Sequence, residues 1–342
     1  MEFTYSNAGV DINKTDAIKG EISDFINTDN PRVLNGLGPF ASLYDIKFDN
    51  IKQPVLVLKA EEPGSKQKLA VEYGYAESVC HDMINHLVND IIVMGAMPLA
   101  VLDTIVCGEA DADIVKSLIK GMSEACEANE CTLVGGETSV QPGVVDKGTY
   151  ILTSSVAGIV DRADIIDGSK ISEGDIVLAV TSNGLHTNGY SLVRMLMDKM
   201  PGIIDEKVGE DSFIQAVMKP HLAYYKSVKE LVAAKKLKGM AHITGGGIEG
   251  NLNRIIPDDL CAYVDLSKLE VPEIFKFIKA RGGVSEAEML RTFNCGVGLM
   301  LVVEPGIAGD VLEHVSKFYR CYEVGKIMAG SEKIGFENSV RF

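Results

Sequence analysis

Apolar residues follow two spacings along this chain, and the change from one to the other predicts strands and helices in turn. In the first half, apolar runs and alternating positions predict strands at Val55 to Leu58, Leu99 to Val106, Thr132 to Val134 and Tyr150 to Val160. A three-to-four-residue spacing predicts helices from about Ala76 to Met94 and from about Asp113 to Ala128. This order predicts a mixed α+β half.

The second half repeats this style after a polar stretch. Residues 161–175 are rich in charge, Gly and Ser, and a new apolar strand begins at Ile176. Helices are expected near Tyr190 to Met200 and His221 to Ala234, and strands at Met240 to Ile243, Ala262 to Val264, Gly296 to Val303 and Cys321 to Ile327. The pattern therefore predicts an irregular arm at 1–50, a first domain at 51–167 and a second at 168–342.

Composition and charge narrow the class of protein. The 342 residues are 46% hydrophobic and 24% charged, which is typical of a globular chain long enough for two cores. Lys and Arg number 33 against 48 Asp and Glu, and this balance disfavours nucleic acid and anionic membranes as partners. A site for a phosphate ester must then supply its own positive potential, from a metal ion, a few basic side chains or backbone N–H groups.

The spacing of the cysteines and the length of the apolar runs indicate in which cellular compartment the protein is expected. The seven cysteines form no Cys-x-x-Cys pair and lie mostly in apolar runs, so we expect buried, reduced thiols. The N-terminus lacks a basic region followed by an apolar stretch, and the longest apolar run is too short to span a bilayer. The sequence predicts a soluble, cytoplasmic protein.

The first helix carries the most informative polar residues. It is apolar over most of its circumference, yet Asp82, His86, Asn89 and Asp90 form one stripe along it. Buried carboxylates are costly unless a cation pairs with them, and Mg²⁺ bridged to substrate phosphates would suit this stripe. The alternative is that both carboxylates pair with Lys or cap neighbouring loops.

Three further features favour a phosphate ligand. Asp103 interrupts an apolar strand directly after the stripe, and it could bind metal or nucleotide or simply cap a turn. Gly135 and Gly136 are expected to follow one strand, and the segment from Thr244 to Gly247 is expected to follow another. Successive glycines leave backbone N–H groups able to wrap an anion, although glycine pairs more often only make turns.

The segment from His186 to Arg194 places a His, hydroxyls, an amide and an Arg at the start of a helix. A helix N-terminus with polar side chains suits a phosphate or ribose, and His186 could move a proton near neutral pH. The alternative is an N-cap by Thr187 or Asn188 beside a solvent-exposed His.

These segments together resemble the phosphoribosylformylglycinamidine cyclo-ligase family, in family order from residue 5 to about 300. The stretches that carry the resemblance are Tyr5 to Ile12, Gly36 to Phe40, Val88 to Asp90, Gly95 to Leu99, Leu102-Asp103, Leu133 to Thr138, Pro142-Gly143, Ile165 to Ser169, His186 to Arg194, Ala241 to Gly247 and Arg291 to Gly298. The stretches at 186–194 and 291–298 are highly specific. Those around Asn89 and Gly135 are shared with a wider superfamily of ATP-using enzymes.

The resemblance implies a two-domain α+β cyclo-ligase-like subunit, with an N-terminal mixed sheet forming a homodimer interface and a C-terminal α/β domain. It implies that ATP and Mg²⁺ are used to close the ring of formylglycinamidine ribonucleotide in purine biosynthesis. The implied catalytic residues are Lys66, His186 and Asp103. Those implied for ATP are Gly64, Ser65, Lys66, Asn89, Asp103, Gly135, Gly136, Glu137 and Thr138; for substrate or phosphate, His186, Thr187, Asn188, Ser191, Arg194, Thr244, Gly245, Gly246 and Gly247; and for metal, Asp82, Asp90 and Glu61.

The chain departs from the family pattern in one loop. Where the family has Thr-Asp-Gly-Val-Gly-Thr-Lys, residues 60–66 read Ala-Glu-Glu-Pro-Gly-Ser-Lys, and Val140 replaces a family Glu. This departure predicts weaker nucleotide binding or an unusual metal requirement. Two alternatives to the cyclo-ligase remain: a superfamily relative with another phosphoryl acceptor, and a divergent nucleotide-binding paralogue with weak or altered activity.

Overall fold

A computed structural model describes residues 17–18, 21–22, 25–26, 29–35 and 40–342 of the protein. The described chain forms two compact units. The first contains the described residues up to Ile91 together with Met97–Asp161, and the second contains Ile92–Ala96 and Arg162–Phe342. The sequence motifs at 5–12 and 36–39, and with them much of the expected arm, lie outside the described residues. The expected domain limits at 51–167 and 168–342 stay predictions.

The first unit is built on a mixed four-stranded sheet. Its elements are β1 (Pro54–Glu61), α1 (Lys66–Glu72), α2 (Ala76–Ile92), β2 (Met97–Cys107), α3 (Ala112–Ala128), β3 (Thr132–Val140) and β4 (Tyr150–Asp161). The strand order is β1-β4-β2-β3, in which β2 and β3 are parallel and the other neighbours antiparallel. The mixed sheet expected from the sequence is therefore present.

Strand β3 is longer than the sequence indicates. The prediction that it ends at Val134 and that Gly135 and Gly136 form a loop after it is wrong, because the strand continues to Val140 and pairs with β2 on both sides of a register shift at Val134. Glycines weaken a strand in isolation, but here they lie where another group approaches the backbone closely. A Cβ built on Gly136 would meet Asp103 Oδ1 at 1.9 Å, so the buried carboxylate requires glycine at this position.

Helix α2 is buried on nearly every side, as its sequence indicates. Its apolar residues from Val79 to Ile92 are at most 1% exposed. Polar groups on such a helix must find partners inside the protein. Asp82 does so through Lys66 at the start of α1, whose Nζ donates a hydrogen bond to Asp82 Oδ1 over 2.8 Å, and both side chains are fully buried. Burial lowers the pKa of Lys66, and the neighbouring Asp82 carboxylate opposes that shift.

The second unit is built on a six-stranded sheet. Its elements are β5 (Ile176–Thr181), α4 (Tyr190–Lys199), β6 (Lys207–Val208), β7 (Asp211–Ser212), α5 (Phe213–Val217), α6 (Tyr225–Ala233), β8 (Gly239–His242), α7 (Gly247–Leu252), β9 (Leu260–Asp265), α8 (Glu273–Gly282), α9 (Glu286–Thr292), β10 (Val297–Val303), α10 (Ala308–Ser316), β11 (Cys321–Ala329) and β12 (Ile334–Glu337). The order is β12-β9-β11-β5-β10-β8, with β12 and β9 parallel and the rest antiparallel. Strands β6 and β7 form a separate ribbon.

Strand β10, which lies between β5 and β8, is buried along its whole length, in agreement with its unbroken apolar sequence. Helix α6 begins four residues later than its spacing indicates. Residues before it are held by tertiary contacts: the ring of His221 contacts His242, and Tyr224 Oη donates a hydrogen bond to the carbonyl of Thr181 over 2.9 Å. Such contacts override local helix propensity. None of the helices in the described part of the chain has both the length and the apolar character that a membrane crossing requires.

The pair of Lys66 and Asp82 generates a stability prediction. Asp82→Asn leaves a buried ammonium without its counter-charge, which costs about 3–5 kcal/mol, whereas Lys66→Met combined with Asp82→Leu removes both charges and is close to neutral. Urea unfolding of the intact chain measures both variants. Equal losses in the single and double variants would show that packing, not charge, sets the stability here.

Candidate active site

The strand register of the first sheet places residues from separate sequence motifs in one row. Glu61 on β1 is paired with Ser154 on β4, Ser154 with Asp103 on β2, and Asp103 with Gly136 on β3. Directly paired residues project from the same face of a sheet. Both Ser154 and Asp103 are buried, at 4% and 5% exposed. The row therefore directs two carboxylates and a hydroxyl toward the helix-covered side.

Asp103 is held in an unusual electrostatic state. Burial, with a further contribution from the charge of Glu137, raises the pKa of its carboxyl to about 7. Burial also raises the pKa of the Cys80 thiol on α2 well above its ordinary value, and the charges of Asp103 and Asp82 add to this effect. The charges of Asp103 and Asp82 therefore both act on the Cys80 thiol, which stays protonated.

A second group of charges joins β1 to the C-terminal half of α2. Lys59 Nζ lies 3.0 Å from Glu61 Oε2 and 3.0 Å from Asp90 Oδ2, and His86 Nε2 lies 3.6 Å from each of the same two oxygens. Although burial opposes it, these two carboxylates raise the pKa of Lys59. Two of the three residues expected to bind metal are thus brought together around a cation.

The third expected ligand lies elsewhere. Asp82 forms an ion pair with Lys66 and does not join Glu61 and Asp90. Because Asp90 is paired with Lys59, both helix carboxylates are paired with lysines in this structure, which was the alternative to metal binding. Lys66 itself is fully buried and not extended toward solvent. Gly64 and Ser65 lie immediately before α1, where Gly64 has a φ of 60° and Ser65 is the N-cap residue.

A cavity of about 1020 Å³ lies against the first unit's sheet. Its lining includes Asp103, Gly135, Gly136 and Glu137, four of the residues expected to bind ATP, together with Lys59, and it also includes Leu58 and Leu102 on the outer face of the sheet. The neighbouring Thr138 lies further along β3, and Asn89 is fully buried in α2. The cavity is large enough for a nucleotide-sized ligand.

In the second unit, two segments expected to bind phosphate lie side by side. A Cβ built on Gly245 would lie 3.1 Å from Asn188 Oδ1. The Nδ2 of Asn188 is buried and has no hydrogen-bond partner among the described residues, so an amide donor is available beside the glycine segment. Gly246 is the N-cap of α7, and Gly247 begins that helix.

The helix after His186 does not begin with an N-cap by Thr187 or Asn188, which was the alternative that the sequence offered. Gly189 is the N-cap of α4, with a φ of 81° and no side-chain cap. Neither Thr187 nor Asn188 caps the helix, and His186 is 1% exposed rather than in solvent. Ser191 and Arg194 lie on the first turns of α4, exposed and partly exposed respectively.

Two asparagines that the sequence did not single out as site residues fix these loops. Asn251 Nδ2 donates hydrogen bonds to the carbonyls of Thr244, Gly245 and Gly247, at 2.8–3.3 Å. Asn294 Nδ2 donates to the carbonyl of Gly184 over 2.9 Å, and Asn294 Oδ1 accepts from Ser182 Oγ over 3.0 Å. The specific segment at 291–298 therefore supports the His186 loop.

His186 belongs to a cluster of three buried histidines. Its ring stacks on that of His221 with centroids 3.8 Å apart, and His221 Nε2 lies 2.9 Å from His242 Nε2. The sequence predicts a role for His186, and His242 lies within the family-like stretch from Ala241 to Gly247. No sequence signal indicated His221. Lys59 and Ser154 were missed as well; the signal for Ser154 was a polar residue at a buried position of an alternating strand.

The raised pKa of Asp103 predicts a pH-dependent stability. In the unfolded chain this carboxyl ionises near pH 3.8, and in the folded chain near 7, so the folded state binds more protons between these values and stability falls as pH rises through them. Asp103→Asn mimics the protonated form and escapes this loss. Its unfolding free energy in urea, relative to the unchanged chain, should rise by up to about 3 kcal/mol from pH 5 to pH 8. A difference independent of pH would contradict the shift.

Comparison with protein-family models matches both units. Residues 52–160 match the N-terminal domain of AIR synthase related proteins, and residues 172–336 match the C-terminal domain of the same proteins. Among solved structures, the fold is similar to thiamine-monophosphate kinase from Stenotrophomonas maltophilia, with a TM-score of 0.68 and 16% identity over 95% of this chain and 96% of that one. It is also similar to the hydrogenase maturation protein HypE in complex with ATP, with a TM-score of 0.62 and 18% identity over 89% and 83% of the two chains.

Curated relatives are closer in sequence. The chain is 40% identical to the phosphoribosylformylglycinamidine cyclo-ligase of Methylobacillus flagellatus over 328 residues, which cover 95% of this chain and 94% of that protein. It is 40% identical to the enzyme of the same name from Chromobacterium violaceum over 311 residues, 90% of each. With both family domains present in order and this identity over nearly the whole length, the chain belongs to the phosphoribosylformylglycinamidine cyclo-ligase family.

Proposed function

We propose that this chain is an ATP-dependent ligase that closes the imidazole ring of aminoimidazole ribonucleotide from formylglycinamidine ribonucleotide. The observation that carries the proposal is the 40% sequence identity to two phosphoribosylformylglycinamidine cyclo-ligases over 90–95% of this chain. The neighbouring Asn188 and Gly245 loops in the second unit support it, because they offer amide and backbone donors to a ribose phosphate.

The chemistry explains why ATP is needed. The formamide oxygen of the substrate attacks the γ-phosphorus of ATP, and ADP leaves. The ribosyl-bearing amidine nitrogen then attacks the activated formyl carbon, phosphate leaves with the former formamide oxygen, and the amidine and formamide nitrogens each lose an N–H proton to base as the imidazole forms. Phosphate is a far better leaving group than hydroxide, and holding the reacting atoms in place contributes roughly 7–11 kcal/mol when they are well oriented.

The first unit would bind the nucleotide. Its cavity gathers Asp103, Gly135, Gly136 and Glu137, and Gly64, Ser65, Asn89 and Thr138 are the further residues proposed to contact ATP. Lys66 reaches phosphates in this proposal only if its ion pair with Asp82 opens, because its ammonium is buried in the structure. The raised pKa of Asp103 keeps a fraction of its carboxyl protonated near neutrality, as a donor toward a phosphate oxygen.

The donor set near β1 fits Mg²⁺ in part. Glu61 and Asp90 supply hard oxygen donors, and the Lys59 ammonium held 3.0 Å from both carboxylates shows that a cation is stabilised between them. Asp82 does not join them, so we propose Glu61 and Asp90 as the metal-binding pair. Bound there, Mg²⁺ would neutralise phosphate charge. Lys59 would then have to move away from the carboxylates.

The second unit would bind the ribonucleotide and manage its proton. Thr187, Asn188, Ser191, Arg194 and the segment 244–247 are proposed to contact the phosphate and ribose. His186, held by the loop that Asn294 supports, is proposed as the base that accepts the amidine proton. Its φ of 60° is uncommon for a residue with a side chain, and such outliers concentrate at functional sites.

One observation favours a second candidate function. Both lysines near the proposed nucleotide site are engaged by carboxylates, and exposed Glu62 adds negative charge where the family pattern has Gly. These features suit a divergent paralogue that binds nucleotide weakly. The assay below separates it from the cyclo-ligase.

We also propose that the chain forms a homodimer through the outer face of the first sheet, where Leu58 and Leu102 also line the cavity, so that the partner subunit would cover the proposed nucleotide site. Leu56, Leu58, Leu102 and Ile151 are 53%, 70%, 47% and 39% exposed, an apolar surface that is costly in water. Sedimentation velocity measures the mass, and a monomer at micromolar concentration would contradict this part of the proposal.

The function is tested by phosphate release from ATP with and without formylglycinamidine ribonucleotide, with the imidazole product measured in parallel. A cyclo-ligase releases one phosphate for each imidazole formed, and only when the ribonucleotide and Mg²⁺ are both present. ATP binding without ribonucleotide-dependent turnover would establish the paralogue instead. Turnover with a different phosphoryl acceptor would overturn both.

In the same assay, His186→Ala should lower turnover roughly 10²–10⁴-fold, the usual contribution of a positioned base. His314→Ala is the matched control, because His314 lies on α10 in the same unit and outside the histidine cluster. Near-normal turnover of the His186 variant would restrict this residue to a structural role in the loop.

A further inference from the structure

Half of the protein's six histidines meet at one buried point of the second unit. His186 lies in the loop after β5, His221 lies before α6, and His242 ends β8. Each offers a ring nitrogen within 4.8 Å of the others, and the three side chains are 1%, 1% and 5% exposed. Residues from three separate elements thus converge on a single volume.

The surrounding backbone leaves room for these rings. A Cβ built on Gly298 of β10 would lie 1.8 Å from Tyr224 Oη and 3.0 Å from His186 Cε1, so this strand position accommodates the cluster by having no side chain. His242 is anchored by its register with Leu299 on the same strand. The positive φ of His186 aims its ring at the other two.

The contact between two of the rings suits a metal ligand set. A nitrogen-to-nitrogen hydrogen bond of 2.9 Å between His221 and His242 requires one ring to present a lone pair to the other. A ring-nitrogen lone pair is what histidine offers to a transition metal.

The geometry is close to what zinc requires. Zinc bonds to histidine nitrogen at about 2.0–2.1 Å in tetrahedral sites, which puts ligand nitrogens about 3.3 Å apart. The His221 and His242 nitrogens need to separate by only a few tenths of an ångström, whereas the stacked His186 ring, with a nitrogen within 4.8 Å of theirs, would have to rotate to become the third ligand. A purely nitrogen donor set suits zinc and similar transition metals, and not Mg²⁺, which prefers oxygen.

We infer that His186, His221 and His242 form a site for a transition-metal ion of the zinc class. Metal at this site uses a lone pair of His186. If the proposed base role of His186 is correct, an occupied site and ring closure exclude each other, and that consequence alone rests on the proposed function.

Binding is measured on the intact chain without substrate, so the result does not depend on the proposed function. The protein is stripped with a chelator, incubated at length with Zn²⁺ because the site is buried, passed over a desalting column and analysed for bound zinc by mass spectrometry. The expected result is one zinc per chain, with a higher melting temperature than the stripped protein. His221→Gln should lower the affinity by at least about 100-fold.

His314→Gln is the matched control and should bind zinc as the unchanged chain does. Replacing Zn²⁺ with Co²⁺ reports the ligands directly in the unchanged chain, even if the His221 variant folds poorly. Tetrahedral visible bands without a thiolate-to-cobalt charge-transfer band support a histidine site, whereas a thiolate band would assign the metal to the buried cysteines. No bound metal, a thiolate site, or equal binding by correctly folded His221→Gln would each overturn the inference.

Discussion

Carboxylates buried beside α2 are the constraint on which the rest of the first unit depends. Asp82 and Asp103 are almost fully removed from water, and the cost of burying each carboxyl group is offset in a different way. Asp82 forms an ion pair with the ammonium of Lys66, whereas the pKa of Asp103 is raised to about 7, so that it keeps its proton up to that pH. Their neighbours are restricted in turn, because Gly136 can carry no side chain beside Asp103. A fold selected for stability alone would place apolar residues here, since buried charge pairs rarely improve stability over apolar packing.

The two units use different chemistry. The first gathers oxygen donors and lysines, a set suited to hard cations and phosphates. The second gathers imidazoles, amides and glycine backbone, a set suited to proton transfer, ribose phosphate and softer metals. This division follows from the elements that carry the residues: long helix α2 supplies two carboxylates from one stripe, whereas the histidines come from three short loops or strand ends.

Much of the fold could be predicted from the sequence because apolar spacing alone identifies elements such as α2 and β10, whose burial matches their pattern. The sheet orders, the ion-pair partners and the end of β3 could not. Lys59 pairs with Asp90 and Lys66 with Asp82 only through tertiary contacts, and a glycine pair predicts a turn unless the carboxylate on the neighbouring strand is known. His221 carried no sequence signal, since a single histidine acquires meaning only beside the other two.

The altered loop after β1 gains a physical interpretation from the same contacts. Glu61 reaches both Lys59 and His86, and its Oε1 also accepts a hydrogen bond from the backbone N–H of Glu62. A shorter Asp at this position would have to draw β1 toward α2 to keep the same contacts. The longer Glu arm can make these contacts without such a shift of the strand, and buried Pro63, with its fixed φ, restricts the chain that follows. The change from Asp to Glu at position 61 therefore does not by itself remove a carboxylate from the neighbourhood of Asp90, because both carboxylates contact Lys59.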